Sequence, residues 1–544
     1  MSVPSSVEPN AECYPMSVLP HVARLYADYL AMAESPAAVR NWYGAEPLGS
    51  AWMGREVSIP HADALADSLH RQSLSFGAGE PALQNIELLR SGARAVVTGQ
   101  QVGLFGGPLL TLLKAATAVA RAKEATATTG IPHVPIFWLA TEDHDLAEVD
   151  QVALLSKHAV ATLRLGLHDA AKPVGGILVG PAVAEILDQA SELLAYAPVC
   201  DLLRECYTPE ATLGQAFGRF MARIFAAHGL IVMDAAGPEF HALGKSVFRA
   251  AIERAPELEA ALLARTVELE AAGYHAQVLV KPGTSMLFLI DEATGVRHIL
   301  RRAADEIWKA GPHTYSTAEL LAILEVQSER FSPNALLRPI FQDTILPTTA
   351  YIGGPAEIAY FAQSDVLYHN ILGRLTPVLP RFTATLIEPA IAAIMAKDEV
   401  SLEDIFNAKT VAALAHRLGA RAMPIEEKRK LSAVGNAMDA ELTALTDYLS
   451  AVDESLGRSA LVSASKMRYQ MNRMRRMAAT FEVQKQASLT MHAEAMVLHL
   501  FPGAHPQERI IAGAYFLAQC GDGLIDRLVD EATNMCLGHS VVRV

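Results

Sequence analysis

The stretch A-V-V-T-G-Q-Q-V-G-L-F-G-G-P, residues 95–108, runs from a short apolar segment into a glycine-rich turn. A helical pattern follows over residues 109–127, and V-P-I-F-W-L at 134–139 has the continuous apolar character of a buried strand. Strand, glycine-rich turn, helix and strand together form a βαβ unit, whose crossover connection makes the two strands parallel. The sequence therefore predicts an α/β fold built on a parallel sheet.

The same pattern returns much later in the chain. A short apolar run at 350–352 leads into G-G-P at 353–355, which repeats the G-G-P at 106–108, and a helix carrying Glu357 and Tyr360 follows. Proline suits the first helical position, and a helix start offers free N–H groups and the positive end of its dipole to an anion. Because ligands bind beyond the carboxyl ends of parallel strands, we predict that both turns open into one crevice. The alternative is that both are ordinary helix starts.

The remaining pattern divides the chain. Residues up to about 90 are mostly helical in pattern, strand candidates at 230–234, 277–281 and 286–291 indicate a mixed α/β section, and no strand is expected after about 390. The predicted domains are a discontinuous core (1–160 and 330–388), inserted α/β segments (161–329), a helical coiled-coil domain (389–500) and a C-terminal segment returning to the core (501–544).

Two heptad seams lie in the helical domain. The first has apolar residues spaced 4-3-4-3-4, Gly457 then interrupts, and the second repeats the spacing as 3-4-3-4-3. Two seams around a glycine predict an antiparallel hairpin, which either packs only on itself or also pairs with a second copy of the chain. The seam residues are Met438, Leu442, Leu445, Leu449, Val452 and Leu456, followed by Ala464, Met467, Met471, Met474, Ala478 and Phe481.

The candidate catalytic cluster is Glu142, Asp143, His144 and Asp145, directly after the strand at 134–139. Three carboxylates beside one imidazole can hold Mg²⁺, with Asp143 and Asp145 as ligands, or can orient His144 as a general base near neutral pH. The alternative is a turn whose carboxylates cap the next helix.

The glycine-rich turn matches neither the Walker pattern nor the dinucleotide-binding spacing. Gln100 and Gln101 add neutral hydrogen-bonding groups, and Arg338 and Arg381, near predicted strand ends, suit bidentate recognition of carboxylates. Each arginine is otherwise an ordinary surface residue. The candidate substrate- or nucleotide-binding residues are Thr98, Gly99, Gln100, Gln101, Gly106, Gly107, Arg338, Gln342, Asp343, Tyr351, Gly353, Gly354, Glu357, Tyr360 and Arg381.

Composition narrows the class of protein. The chain has 544 residues, 59 acidic and 45 Lys or Arg side chains, and a formal charge of −14, which disfavours general binding to nucleic acid or anionic membranes. Residues 1–15 lack the apolar run of a signal peptide, and the apolar stretches at 109–122 and 386–396 are broken by Lys114 and Glu388. The five cysteines are sparse, odd in number and lack a C-x-x-C, so no disulfide framework is expected. These features predict a cytoplasmic protein of several domains.

Four segments together resemble one known family. T-G-Q-Q-V-G-L-F-G-G-P-L-L-T (98–111), P-I-F-W-L-A-T-E-D-H-D-L-A-E-V (135–149), R-P-I-F-Q-D-T-I-L-P-T-T-A-Y-I-G-G-P-A-E-I-A-Y-F-A-Q (338–363) and Q-E-R-I-I-A-G-A-Y-F-L-A-Q-C-G-D-G-L-I-D-R-L (507–528) are similar to the BshC family, in the same order and across nearly the whole chain.

This resemblance implies a Rossmann-like core with inserted connecting segments and a helical coiled-coil domain that forms a homodimer. It also implies a carbon–nitrogen ligase of bacillithiol biosynthesis that joins L-cysteine to glucosaminyl-malate through an amide bond. Making an amide from a carboxylate requires activation, so we expect ATP as cofactor, with Mg²⁺ beside it. The alternatives are another ATP-using sugar or nucleotide transferase, and a coiled-coil assembly protein with a vestigial site.

Overall fold

The computed structural model describes residues 12–32, 35–168, 171–521 and 523–544. Most of the segment in which a signal peptide was sought therefore lies outside the described residues. The chain forms two compact units. One runs to Thr385 and includes Glu508–Val542, and the other consists of Leu386–Gln507 with Arg543–Val544.

The strands are as follows: β1 (Glu12–Tyr14), β2 (Arg94–Gln100), β3 (His133–Leu139), β4 (Gln151–Leu155), β5 (Val160–Arg164), β6 (Ile231–Asp234), β7 (Thr284–Ile290), β8 (Arg297–Ala304), β9 (Ile307–Ala310), β10 (His313–Ser316), β11 (Phe331–Pro333), β12 (Thr348–Gly353), β13 (Val378–Pro380), β14 (Ala384–Ile387) and β15 (His539–Arg543).

The helices before residue 385 are as follows: α1 (Arg24–Leu30), α2 (Ala37–Trp42), α3 (Ala62–Ser75), α4 (Glu80–Arg90), α5 (Leu110–Thr129), α6 (Leu146–Val149), α7 (Val183–Leu193), α8 (Val199–Cys206), α9 (Leu213–Ile224), α10 (Pro238–Glu253), α11 (Ala255–Ala271), α12 (Thr317–Val326), α13 (Arg338–Ile345) and α14 (Pro355–Leu367). Those after it are α15 (Pro389–Lys397), α16 (Leu402–Ala408), α17 (Val411–Ala422), α18 (Ile425–Val452), α19 (Glu454–Lys485), α20 (Ala487–Leu500), α21 (Gln507–Ile510), α22 (Gly513–Cys520) and α23 (Gly523–Thr533).

The central sheet is parallel, with the strand order β13-β12-β2-β3-β6. Val97 in β2 pairs with Ile136 in β3 and with Tyr351 in β12, so the three strands predicted to be neighbours are neighbours. Helix α5 crosses from β2 to β3 and packs small side chains such as Ala118 and Ala122 on the sheet, where large ones would not fit. This confirms the predicted α/β fold with a Rossmann-like core.

Two strand predictions are wrong. Residues 277–281 form no strand, because the backbone of Val278 bonds to a side chain instead: its N–H donates to Gln363 Oε1 at 2.8 Å, and its carbonyl accepts from Gln363 Nε2 at 2.9 Å. Strands also continue after residue 390, since β15 pairs antiparallel with β1. In both cases, whether the segment forms a strand depends on the partner that its backbone bonds to, rather than on its own residue pattern.

A disulfide joins Cys13 in β1 to Cys536, just before β15, with the two Cα atoms 6.5 Å apart. The sequence-based expectation of no disulfide is therefore wrong. The two cysteines are 523 positions apart, and only the pairing of β1 with β15 brings them together.

The section between residues 160 and 333 combines helices α7–α12 with an antiparallel sheet in the order β10-β9-β8-β7-β11. The β4–β5 hairpin, whose second strand begins this section, is antiparallel as well. A mixed α/β section was predicted here, but its placement wholly outside the core is wrong, because β6 within it pairs with β3 and forms an edge of the central sheet.

The helical unit contains the predicted antiparallel hairpin, formed by α18 and α19. Arg468 pairs with Asp439 at 2.7 Å, and Arg475 lies against Gly435, as antiparallel helices require. The turn is at Asp453 rather than at Gly457, because the Asp453 carboxylate caps the N–H groups of the first turn of α19.

Gly457 lies inside α19 and serves the packing of the hairpin. A Cβ there would lie 2.7 Å from Ser450 Cα, so only glycine lets the two helices approach this closely. Of the second predicted seam, Ala464 and Met471 are buried in the hairpin, whereas Met467, Met474 and Phe481 are exposed. The 3-4 spacing did not distinguish the inner from the outer face of α19.

Among the described residues, no helix combines the length and apolar character needed to cross a membrane.

We expect Gly457→Val to destabilise the hairpin by about 1–3 kcal/mol, since the added side chain must push α18 and α19 apart. Ser459→Val places the same residue on the exposed face of α19 and should leave the thermal unfolding midpoint nearly unchanged. Thermal unfolding followed by circular dichroism measures both. Equal midpoints for the two variants would mean that the close approach at Gly457 does not hold the hairpin.

Candidate active site

A cavity of about 510 Å³, here called the main cavity, opens at the carboxyl ends of β2, β3, β12 and β13. Pro108 from the first Gly-Gly-Pro turn and Gly354 and Pro355 from the second both line it. The prediction that the two turns share one crevice is confirmed. The volume lies within the range of small-molecule sites.

The two turns differ in detail. Pro355 is the first residue of α14, as predicted. Pro108 is not the first residue of α5, which begins at Leu110, because Pro108 instead forms a β-bridge with Ala512 and extends the strand-like backbone of the turn.

Lys114 from α5 and Glu357 from α14 form a largely buried ion pair in the wall of the main cavity, with Nζ and Oε2 2.6 Å apart. Lys114 Nζ also donates to the Gly99 carbonyl and to Gln100 Oε1. Three acceptors therefore match the three donors of an ammonium group. The pair joins the helices that follow the two Gly-Gly-Pro turns.

Glu357 is held ionised by its neighbours. It accepts from the Gly354 N–H at 2.8 Å and from the Tyr351 hydroxyl at 2.5 Å. Burial alone would raise the pKa of Glu357, but the Lys114 charge and these hydrogen bonds outweigh it and hold the pKa below its usual value. The Gly354 N–H at the start of α14 is thus already occupied by a carboxylate of the protein.

Arg338 reaches the main cavity from the first position of α13 rather than from a strand end, which corrects the sequence-based placement. Its guanidinium donates to Gln342 Oε1 at 2.9 Å and to the Tyr360 hydroxyl at 3.0 Å, and it lies 5.2 Å from the centre of the Tyr351 ring. These neutral partners orient the cation and leave its charge uncompensated by a carboxylate hydrogen bond.

Arg381 follows β13, as predicted, and is clamped by Glu508 through two hydrogen bonds, one of them 3.0 Å long. Both side chains are buried, and Glu508 also accepts from the Thr383 hydroxyl at 3.0 Å. Burial opposes ionisation of Glu508, yet the Arg381 charge lowers its pKa to about 2. The Thr383 hydroxyl also contacts the buried His539, whose pKa burial lowers to about 4.

The four residues of the acidic cluster point in different directions. Asp143 lines the main cavity and accepts from Gln101 Nε2 at 2.8 Å. Glu142 instead pairs with the buried His241 at 3.1 Å, and this carboxylate outweighs the effect of burial and raises the pKa of His241. His144 is largely exposed, with Nδ1 3.0 Å from Arg297 Nη1.

Asp145 is exposed at the N-cap of α6 but makes no capping hydrogen bond through its side chain. Among the described residues, no group of three or more His, Cys, Asp or Glu side chains is placed to hold a metal ion. Asp143 and Asp145 therefore do not belong to a larger cluster of metal-binding side chains in the described part of the chain.

Ten predicted binding or catalytic residues line the main cavity: Gly99, Gln100, Gln101, Asp143, Arg338, Tyr351, Gly354, Glu357, Tyr360 and Arg381. Others support it without lining it. The Thr98 hydroxyl bonds to Ile352 between strands, Gly106 donates to the Tyr207 hydroxyl, Gln342 and Asp343 are buried behind Arg338, and the Gly353 carbonyl accepts from the Arg381 N–H. Gly107 lines a neighbouring chamber.

Sequence reasoning missed Lys114, Trp138, Glu148 and Arg509, which also line the main cavity. Lys114 was noticed only as a charge interrupting an apolar helix, and that interruption was the available signal. Trp138 in β3 lies directly beside Gly99 in β2. A Cβ on Gly99 would lie 2.8 Å from the Trp138 carbonyl oxygen, so this close approach of the two strands requires glycine.

We expect Glu508→Gln to lower the free energy of unfolding by about 3–5 kcal/mol at pH 7, because it leaves the buried Arg381 charge without a partner. Glu205→Gln, which removes an exposed partner of Arg223, should cost no more than about 1 kcal/mol. Denaturant unfolding measures both.

The pH dependence of the same difference is a second check. The folded-state pKa of Glu508, about 2, lies below its ordinary value of 4.5. The stabilisation is therefore complete above pH 4.5 and is lost as the pH falls towards 2. A difference between wild type and Glu508→Gln that does not shrink on acidification would contradict the ion pair.

Models of two protein domains match the chain. Residues 16–382 match the N-terminal Rossmann-like domain of bacillithiol biosynthesis BshC, and residues 384–544 match its C-terminal coiled-coil domain. Together the two matches span nearly the whole sequence.

Three curated relatives carry the name "Putative cysteine ligase BshC". The protein from Koribacter versatilis is 42% identical over 98% of this chain and 99% of its own length, and that from Solibacter usitatus is 36% identical over 98% and 100%. The protein from Salinibacter ruber is 30% identical over the full length of both. With both domains matched in order, the chain belongs to the BshC family of bacillithiol biosynthesis and is a ligase of that family.

Proposed function

We propose that the protein forms the amide bond between the carboxyl group of L-cysteine and the amino group of glucosaminyl-malate, using ATP to activate the carboxyl group. The observation that carries this proposal is the set of four cationic side chains, Lys114, Arg338, Arg381 and Arg509, that converge on the main cavity. The substrates and the nucleotide are anionic, and their negative charges need such partners.

The cations divide into two kinds. Lys114 and Arg381 are paired with Glu357 and Glu508, whereas Arg338 and Arg509 form no ion pair with a described carboxylate. The unpaired guanidiniums are the ones free to bind the malate carboxylates or the phosphates, and the Tyr351 and Tyr360 hydroxyls add neutral contacts suited to a sugar.

The reaction has two balanced steps. The cysteine carboxylate first takes a phosphoryl group or an adenylyl group from ATP, releasing ADP or pyrophosphate. The neutral sugar amine then attacks the activated carbonyl carbon, the C–N bond forms, phosphate or AMP leaves, and the amine loses one proton. Donors aimed at the cavity stabilise the charge that develops on the oxygens.

The amine needs a base before it attacks. The sequence singles out His144, but Asp143 is the member of the cluster that lines the main cavity. We assign Asp143 to accept the proton. His144 Nδ1 accepts a hydrogen bond from Arg297 Nη1 at 3.0 Å, so this nitrogen is already engaged away from the amine.

ATP and Mg²⁺ fit the residues present. The cations of the main cavity would hold the phosphates, and Mg²⁺ would be held by those phosphates and by water, because Asp143 is assigned to accept the proton. When bound, ATP supplies the activation of the carboxyl group. A protein acting on these cellular metabolites belongs in the cytoplasm.

Purified protein incubated with cysteine, glucosaminyl-malate and ATP should yield bacillithiol, detected by mass spectrometry. Arg338→Met should lower turnover strongly, while Arg458→Met, on the exposed face of the helical unit, should not. Product from another acceptor only would favour a different ATP-using transferase, and no ATP-dependent product from any acceptor would favour an assembly protein.

Asp143→Asn should lower turnover at pH 7 by about 10²-fold or more, the usual cost of losing a general base. Raising the pH should partly restore the rate, because free amine then exists without a base. His144→Ala should cost less, since its ring does not line the cavity. If His144→Ala is the slower enzyme and shows the pH rescue, His144 is the base instead.

We further propose that the helical unit pairs two copies of the chain. Leu445 and Val452 on α18 and Met467, Met474 and Phe481 on α19 stay exposed outside the hairpin contact, and exposed apolar stripes on long helices favour association. Leu445→Glu with Leu449→Glu should convert a dimer into a monomer in light scattering at micromolar concentration, whereas Ser432→Glu should not. A monomeric wild type would contradict the dimer.

A further inference from the structure

A second chamber of about 310 Å³ adjoins the main cavity, and we call it the side chamber. Five residues line both spaces and form the wall between them: Gln100, Gln101, Pro108, Glu148 and Arg509. The side chamber is bounded further by the glycine-rich turn after β2, the β4–β5 hairpin and residues 509–512.

The walls of the side chamber are tied together by backbone hydrogen bonds. The Ala512 N–H donates to Ala153 in β4 at 2.9 Å, and the Gly513 N–H donates to Gly107 in the glycine-rich turn at 3.0 Å. Pro108 forms its β-bridge with Ala512. The C-terminal segment thus closes the chamber against both other walls, so its shape exists before any ligand binds.

The lining carries one charge of each sign. Glu148 and Arg509 are its charged residues, and both belong to the shared wall. No described residue forms an ion pair with either one. Partial burial raises the pKa of Glu148, an effect that a bound cation would reverse. The rest of the lining is apolar or neutral and includes Val152, Val160 and Ile510.

We infer that the side chamber is the amino-acid subsite, an inference that rests on the proposed function. A small zwitterion complements both charges of the lining: its carboxylate binds the Arg509 guanidinium, and its ammonium group binds the Glu148 carboxylate. A thiol side chain behaves as a small apolar group and fits against Val152 and Ile510. The chamber suits an uncharged side chain, since a charged one would find no partner there besides Glu148 and Arg509.

This placement also meets the geometric demand of the reaction. The carboxyl carbon must face the phosphates and the sugar amine, and Arg509 lines the main cavity as well as the side chamber. An amino acid held by Arg509 therefore presents its carboxyl group at the shared wall, while its side chain points away from the reacting atoms.

The test uses two tools. One is a variant whose larger side chain fills the side chamber, and the other is a cysteine analogue that has no thiol. Ala153→Met extends a side chain from the lining of the side chamber, and Ala147→Met, at an exposed position of α6, is the matched control. L-2-Aminobutyrate has the shape of cysteine with a methyl group for the thiol. We expect it to bind the wild type in calorimetry and to compete with cysteine, whereas L-aspartate, with its charged side chain, does not.

Ala153→Met should weaken binding of L-2-aminobutyrate and raise the KM for cysteine by about tenfold or more, with the KM values for ATP and glucosaminyl-malate nearly unchanged. Ala147→Met should match the wild type. An unchanged KM for cysteine, or a rise in the KM for ATP instead, overturns the subsite. Competition by L-aspartate as strong as that by L-2-aminobutyrate in the wild type also overturns it, and this measurement does not depend on the variant folding.

The proposed function fails separately. Suppose that the wild type binds L-2-aminobutyrate, that Ala153→Met abolishes this binding, and that the wild type forms no amide. This result would support the subsite and contradict the proposed ligase reaction. Suppose instead that the wild type forms bacillithiol and that folded Ala153→Met has an unchanged KM for cysteine. This result would support the reaction and contradict the subsite.

Discussion

The buried ion pair between Lys114 and Glu357 is the interaction on which the site depends. Each residue stands on the helix that follows one of the two Gly-Gly-Pro turns, so their 2.6 Å contact fixes the distance between the two halves of the crevice. Two charges taken out of water are stable only when all their hydrogen bonds are met. Here the Gly99 carbonyl, Gln100, the Gly354 N–H and Tyr351 meet them, and these residues form the cavity wall.

The four cationic side chains of the main cavity divide into two that hold the structure and two that are available to a ligand. Carboxylates neutralise Lys114 and Arg381 within the protein, and these paired cations form part of the cavity wall. Arg338 is oriented by neutral groups, and Arg509 stands in the wall between two spaces. The charges of Arg338 and Arg509 are available to a ligand, because neither side chain forms an ion pair with a described carboxylate of the protein. An acidic chain can therefore present a locally cationic site.

The sequence predicted what local pattern controls. Apolar runs and glycine-rich turns located β2, β3 and β12, and the order of elements implied their parallel pairing and the shared crevice. It could not locate contributions that depend on distant partners. Arg509 reaches the cavity only because residues 509–513 bond to the turn after β2, and Lys114 looked like an interruption until Glu357 was placed beside it. The turn of the helical hairpin was misplaced for a related reason: Gly457 serves close packing, while Asp453 ends the helix.

The bond between Cys13 and Cys536 turns nearly the whole chain into a covalent ring of more than five hundred residues. Cutting a single peptide bond anywhere within that ring leaves one covalent molecule, whose two pieces are joined through the disulfide as well as held by the fold. Such a nicked chain separates into fragments only after reduction. The ring also restricts the unfolded chain, which loses the freedom of two independent ends.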